Sequence, residues 1–400
     1  MWEQAETTAP DFGSHVPLSD KLRLEQQIER QAEEIKAQLN GFPTRCSERE
    51  RWRERLLAKT REMAAQLGLR DDGLDWFFTS AGVDVTRQFI GEAKAFDAGM
   101  KDEDLFQALR NLWVMHSIQA LLDREVTFSS AAFGYSMLYP WTDNYLDGGI
   151  SSRAKLGFGD WLELRLCGSN ATPSDRHAAQ VDRLLARIER VFPRAEFKEV
   201  HLSLRAIHQA QMASLRQQRS GEPLTRDELL QITVRKGGAS VLADAYLVSG
   251  NLSEPEADFM FGYGVLLQLM DDLQDFDRDR ANGHETLFVR QAMSGALDGL
   301  TRRLWSFLYS VLWSSNAFRA PRFQPIKALI QQSCRLLLLS SVARNHKFYS
   351  AGFAAETEAC SPFRFDFIRT RGASLAVGFR KVSSLLRRRR RITSVFDLLA

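Results

Sequence analysis

Apolar residues recur at three- and four-residue intervals along most of the 400-residue chain, the period that lays one stripe along an α-helix. The pattern predicts amphipathic helices in KLRLEQQIERQAEEIKAQL (21–39) and RWRERLLAKTREMAAQL (51–67), separated by Gly41 and Pro43. It continues through DEDLFQALRNLWVMHSIQALL (102–122), SAAFGYSMLYPWTDNYLD (130–147), SDRHAAQVDRLLARIERVF (174–192) and FKEVHLSLRAIHQAQMASLRQQ (197–218). TRDELLQITVRKGGASVLADAYLV (225–248), EPEADFMFGYGVLLQLMDDLQDF (254–276) and PIKALIQQSCRLLLLSSVARNHKFY (325–349) follow. Two-residue alternation flanked by hairpin signals is almost absent, so a sheet has nothing to be built from. No 20- to 50-residue repeat points to a solenoid. The expected fold is all-α, a single bundle at 71–380 preceded by a helical extension at 21–70. Residues 1–20, polar and punctuated by Pro and Gly, are expected to be poorly ordered, and 381–400 form a basic tail.

A hydrophobic content of 44% suffices for a large core, while a formal charge of +3 gives no global case for nucleic acid. Cys46, Cys167, Cys334 and Cys360 are too far apart for a metal-binding spacing and read as reduced packing thiols. The N-terminus lacks the basic start and apolar core of a signal peptide, and no apolar run is long enough to cross a membrane. A soluble, cytoplasmic protein is expected. Nucleotide-binding glycine loops, HExxH and GxSxG are all missing, which leaves nucleotide hydrolysis, dinucleotide redox chemistry, zinc proteolysis and serine hydrolysis without support.

Candidate chemistry is carried by misplaced acids. The run LLQLMDDLQDFDRDRANG drives an apolar helix into Asp271, Asp272, Asp275, Asp277 and Asp279 just before Asn282-Gly283. Asp271 and Asp275 share a helix face, and each acid near a helix C-terminus opposes the macrodipole. Pairing with Arg278 or Arg280, or exposure at a helix end, would explain one such group. The same misfit recurs, however, in DNYLDGG, where Asp143 and Asp147 are again four apart before a Gly-Gly stop. Two such pairs make sense if divalent cations bridge them, and oxygen-only ligands select a hard ion such as Mg²⁺, which binds jointly to carboxylates and substrate phosphates. Arg153, Lys155, Arg235 and Lys236 are the candidate phosphate-binding cations. Gly237 and Gly238 suggest a joint that opens backbone N–H groups toward an anion; a solvent-facing basic pair beside a flexible joint is the bland alternative.

On these residues the chain resembles the class I isoprenoid synthases, the superfamily of terpene synthases, prenyl diphosphate synthases and squalene or phytoene synthases. GYGVLLQLMDDLQDFDRDRANGHETLF, with Gln268 ahead of Asp271, is similar to their second aspartate-rich helix, and DNYLD to the first. LRNLWVMHSIQ, LYPWTDNYLD and KGGASVLADAYLV resemble in particular a bacterial group of class I isoprenoid biosynthesis enzymes. The resemblance implies a bundle enclosing a central apolar pocket, with the two acidic helices facing across its mouth. It implies three Mg²⁺ ions on Asp143, Asp147, Asp271 and Asp275, with Asp272 as ligand or neighbour, and a prenyl diphosphate ionised to a carbocation. It also implies that Arg153, Lys155, Arg235 and Lys236 meet the diphosphate; the oligomeric state stays open, with a homodimer one option by analogy with prenyl synthases.

The motifs also depart from the established branches. No arginine pair follows DNYLD and no Gly-Gly-Lys-Arg segment occurs, against chain elongation; DDLQD replaces the Asn/Ser/Glu triad of common bacterial cyclases. Single-substrate ionisation by a terpene synthase-like enzyme ranks first. Coupling of two prenyl diphosphates or chain elongation ranks second, and a noncatalytic helical partner or lipid-binding protein third. Phe128, Phe133, Tyr135, Tyr139, Trp141, Phe259, Phe261 and Tyr263 either stabilise a cation or simply fill the core, and His208 with Gln209 and Gln211 either faces the pocket or is structural. The arginine run Arg387–Arg391 suits a solvated end, peripheral contact with anionic lipid, or partner docking.

Overall fold

The computed structural model describes residues 2–3, 5, 11–43, 45–69, 80–218 and 223–371. The all-α expectation holds across them: no strand forms among the described residues, where an isolated antiparallel bridge joins Gln218 to His284. The helices are α1 (Leu18–Asn40), α2 (Cys46–Gln66), α3 (Ser80–Phe96), α4 (Asp102–Leu121), α5 (Ser130–Asp147), α6 (Ser152–Leu166), α7 (Arg176–Val191) and α8 (Lys198–Ser214). After these come α9 (Arg226–Ser249), α10 (Glu254–Gln274), α11 (Phe276–Asn282), α12 (Leu287–Ser294), α13 (Asp298–Trp313), α14 (Gln324–Arg344) and α15 (Ala351–Cys360). Among the described residues no helix is long and apolar enough to cross a membrane. The basic tail with Arg387–Arg391 lies outside the described residues.

Caps fix where the site-bearing helices begin. Ser129 accepts from the Ala131 and Ala132 amides to start α5, and Thr225 with Glu228 and Ser253 with Glu256 form capping boxes at the heads of α9 and α10. Gly283, at φ +70°, stops α11 in the left-handed region that a glycine enters without steric cost.

Two apolar cores meet on α9. One is built from α3 to α8 and includes Phe89, Phe133 and Leu184; the other joins α10 to α15 and includes Leu266, Trp305 and Leu338. Ala239, Ala243 and Leu247 of α9 belong to the first core, whereas Leu229, Ile232 and Val241 belong to the second. A helix apolar on nearly every side is stable only when enclosed, and α9 therefore becomes the partition of the bundle.

Helices α1 and α2, which fall in the segment read as an extension, are held to each other by reciprocal bonds between Gln38 and Trp52 of 2.9 and 3.0 Å. It is fastened to the C-terminal end by Glu25, which receives Arg364 side-chain bonds of 2.7 and 2.9 Å and the Arg364 amide at 2.8 Å. Residues 1–20, read as poorly ordered, include Phe12, which is fully buried and stacks on Trp305 at 5.7 Å. Its burial offsets the ordering cost that a polar, Pro- and Gly-containing segment would otherwise not recover. Of the cysteines with described side chains, Cys167 is exposed and Cys334 and Cys360 are buried thiols; burial pushes Cys334 up to about 12.

Candidate functional site

Asp143 sits in the last turn of α5, largely buried. Its Oδ1 accepts a 2.8 Å hydrogen bond from Gln211 Nε2 on α8 and lies 3.6 Å from Lys236 Nζ on α9. The next residue, Asn144, braces the motif by donating to Asp104 at 2.8 Å and Gln107 at 3.0 Å on α4. The side chain of Asp147 lies outside the described ones.

The second motif is organised differently from the sequence expectation. Rather than running to Gly283, α10 ends at Gln274 with Asp275 as its cap, and α11 restarts immediately. Asp271 and Asp272 thus occupy the C-terminal turn of α10, where they oppose its dipole, whereas Asp277 and Asp279 occupy the first turn of α11, where the dipole favours them. The backbone bond from Asp275 N to Asp271 O, 2.9 Å, preserves the common face expected of those two acids.

Within this motif the carboxyls differ sharply. Asp271 is partly exposed and pairs with Arg110 of α4 at 3.3 Å. Asp272 is buried, accepting from Gln268 at 2.9 Å and Thr233 at 3.4 Å; burial raises its pKa to about 7. Asp275, paired with Arg278, is raised by burial and then by Asp271. Asp279 reaches about 7 through burial and the Asp275 charge, opposed by Arg278 and Lys236. Such shifts mark carboxyls that lack enough positive charge for full ionisation.

Lys236 connects the motifs. Besides its contact with Asp143, its charge acts on Asp272, Asp279, Tyr139 and His284. Its position follows from the crossing of α9 and α10. A Cβ on Gly237 would lie 2.6 Å from both Gly264 O and Gln268 Cβ, and one on Gly238 would overlap the Phe261 ring. These glycines permit close helix packing inside a continuous α9; they do not form the expected joint with opened N–H groups, because their amides remain in the helix. The crossing brings Thr233 against Asp272 on the side of α9 from which Lys236 reaches Asp143.

The other candidate cations are placed less favourably. Lys155 donates to Gln218 at 3.3 Å, beside the bridge to His284, whereas Arg153 and Arg235 are exposed and take no part in the interactions described for these acids. Sequence reasoning missed Arg110 and Thr233, and left Asp279 outside the site; spacing within one helix cannot reveal partners from another.

Below Asp143, a cavity of about 30 Å³ is lined by Tyr135, Tyr139, Thr142, His208, Gln211 and leucines of α5 to α8. It has room on the order of one water, where a bound organic ligand takes roughly 300 Å³ or more. A prenyl chain entering here therefore requires the lining side chains to separate. His208 is both wall and structural, its Nε2 lying 3.0 Å from Gly159 O. Tyr135 and Tyr139 are likewise wall residues, whereas Phe133 packs among Phe89, Phe96 and Phe128.

Among the described residues no three His, Cys, Asp or Glu side chains converge tightly enough to form a ready metal cage. The donor chemistry nonetheless suits a hard cation: oxygen ligands only, several of them partly desolvated and short of positive charge. Comparison of the chain with protein-family models, curated proteins and solved structures gives no match. The resemblance to class I isoprenoid synthases therefore rests on the motifs themselves.

Proposed function

We propose that the protein is a Mg²⁺-dependent, class I terpene synthase-like enzyme that ionises an allylic prenyl diphosphate. The observation that carries this reading is Lys236: one lysine on the central helix acts on Asp143 of the first acidic motif and on Asp272 and Asp279 of the second. Two acid groups far apart in sequence thereby share one cation at the top of the bundle. In this reading Asp143, Asp271 and Asp275 hold Mg²⁺ with Asp147, and Lys236 binds the diphosphate with help from Lys155. The metal, when bound, neutralises charge developing on the departing diphosphate. The chain itself orients the acids through Gln211, Asn144 and Gln268, and excludes water with the aromatic and leucine wall of α5 to α8.

The test is incubation of the full chain and Mg²⁺ with geranyl, farnesyl and geranylgeranyl diphosphates, assaying diphosphate and hydrocarbon products. Release is expected from the wild type and strongly reduced release from Asp143→Asn and Asp271→Asn; unchanged release in both variants removes this site. A product of doubled carbon number favours head-to-head coupling, and longer diphosphates made only with isopentenyl diphosphate favour elongation. The small cavity favours a second reading, a noncatalytic helical protein that retains the fold; no release with any substrate, and no Mg²⁺ effect on stability, supports that one.

A further inference from the structure

Helices α6 and α8 run antiparallel along one side of the bundle. Lys155 reaches Gln218, His208 Nε2 lies 3.0 Å from Gly159 O, and Glu163 accepts from Arg205 at 2.6 Å and Gln209 at 3.0 Å. Their outer face carries Leu156, Leu164 and Leu202, which are 56%, 55% and 48% exposed. A single exposed leucine is ordinary on a protein surface. Here two stand on one stripe of α6 together with Arg153, Gly157 and Asp160, and Leu202 lies at the same end of the pair as Leu164, because Glu163 meets Arg205. A solvated helix face ordinarily answers each charge three or four residues away. Arg153 has Leu156 and Gly157 at those positions, and Asp160 has Leu156, Gly157, Glu163 and Leu164, so neither meets an opposite charge on its own helix. Neither takes an ion pair from another helix among the described residues.

The pattern is complementary to itself. Arg153 and Asp160 are two turns apart, about 10 Å along the axis. When a second α6 lies antiparallel to the first, about a two-fold axis between Leu156 and Gly157, Arg153 of each copy faces Asp160 of the other. Leu156 of each copy then sits at Gly157 of the other, where an added Cβ meets nothing within 4 Å. Farther out, Leu164 comes to the linker that leads into the other copy's α6, where Gly149 is equally open. Other registers fail on charge. A parallel pair sets Arg153 on Arg153, and an antiparallel pair centred on Asp160, which brings Leu156 onto Leu164, sets Asp160 on Asp160. Like charges in direct opposition are unfavourable, so one register satisfies the charged and the apolar positions together.

We propose that the outer face of α6, edged by α8, docks a second copy of this chain in an antiparallel two-fold contact centred on Leu156 and Gly157. A two-fold interface uses the same patch on both subunits and therefore needs this kind of self-complementarity. Glycine at the crossing lets the helix axes come to about 8 Å, the short end of the usual range. The inference does not depend on the terpene synthase-like reading, and it gives Arg153 a partner that the acid site does not. The contact also borders the first acidic motif, since Gly149 follows Asp147 by two residues. One helix and the edge of another make a small interface, so the dissociation constant is expected at roughly 1–100 μM.

The experiment is sedimentation velocity of the full chain at concentrations from about 1 μM to about 300 μM. The wild type is expected to move from the 45.5 kDa monomer toward twice that mass. Arg153→Asp leaves two acids on the stripe and Asp160→Arg leaves two bases, so each variant is expected to lose self-association by at least about tenfold. Mixed in equal amounts, the two variants are expected to pair with each other within about threefold of the wild-type constant, because each supplies the charge that the other lacks. A damaged fold gives no such rescue. Leu156→Glu is expected to lose the dimer both alone and in the mixture. A wild type that stays monomeric at about 300 μM overturns the proposal. So does a dimer that neither charge substitution weakens, or a weakened pair that mixing does not restore.

Discussion

Gly264→Ala tests whether the close approach of α9 and α10 assembles the acid site. A methyl group at Gly264 would sit 2.1 Å from Gly237 O, 2.8 Å from its carbonyl carbon and 3.0 Å from Val241 Cβ. Non-bonded atoms settle at roughly 3.5 Å, so α10 must withdraw from α9 by about 1 Å or more. Overpacking costs about 1–3 kcal/mol when side chains can yield. Here the obstruction is backbone, and separation also loosens the apolar contacts along the seam. With a gross cost therefore at or above the top of that range, about 3–5 kcal/mol, and better helix propensity returning about 1 kcal/mol, the net loss is about 2–4 kcal/mol. A domain stable by roughly 5–15 kcal/mol survives that, but with a visibly lower unfolding midpoint. Gly157→Ala on α6 is the control, since nothing lies within 4 Å of the added methyl; it should stabilise by about 0.5–1 kcal/mol. Urea unfolding followed by circular dichroism, with slopes compared to confirm an unchanged transition, measures both. A Gly264→Ala midpoint equal to or above the wild type would refute the reasoning, because the two backbones would then not be in limiting contact.

Asp272, whose pKa rises in the fold from 3.8 to about 7, keeps a proton between those values that the unfolded chain has lost. Stability should therefore fall as pH rises through that window and level off above it, by about 4 kcal/mol relative to Asp272→Asn; parallel pH profiles for the two proteins would contradict the burial of an undercompensated carboxyl. Millimolar Mg²⁺ at pH 8 should raise the wild-type melting temperature and leave a doubly substituted Asp143→Asn, Asp271→Asn protein unmoved, and equal responses would remove the metal assignment. Glu25→Gln should cost about 2 kcal/mol, because the carboxylate is 5% exposed while Arg364 remains 43% exposed. Hydrogen exchange should then quicken in α1 and in residues 361–371 together; quickening in α1 alone would show that Glu25 does not fasten the two ends.

Much of the architecture was legible along the chain, because a 3.6-residue apolar period is a local property that reports which face must be buried. The helix containing Pro140 could be recognised from neighbouring residues, and so could the acidic pairs, since four-residue spacing places two side chains on one face whatever surrounds them. Three features of the site could not be read in this way. The break at Asp275 divides one apparent acidic helix into two, so that Asp277 and Asp279 meet a favourable dipole. Gly237 and Gly238 read as a loose joint, and only the arrival of Gly264 and Phe261 from α10 makes them a tight crossing. Asp244 lies inside an apolar run, and the groups around it, Asn111 and the phenols Tyr135, Tyr139 and Tyr263, all come from other helices.

Sequence by itself thus determined that the described residues are helical, where many of the longer helices lie though not α3, α6 or α13, and that two groups of acids sit where a helix does not favour them. Tertiary structure decided which cation the acids share, which carboxyls are desolvated, and how little space lies beneath them. The physical reason is range. Helix phase and capping act within a few residues, whereas charge compensation and burial depend on side chains brought together from helices far apart along the chain, as Arg110 and Asp271, 161 residues apart, are.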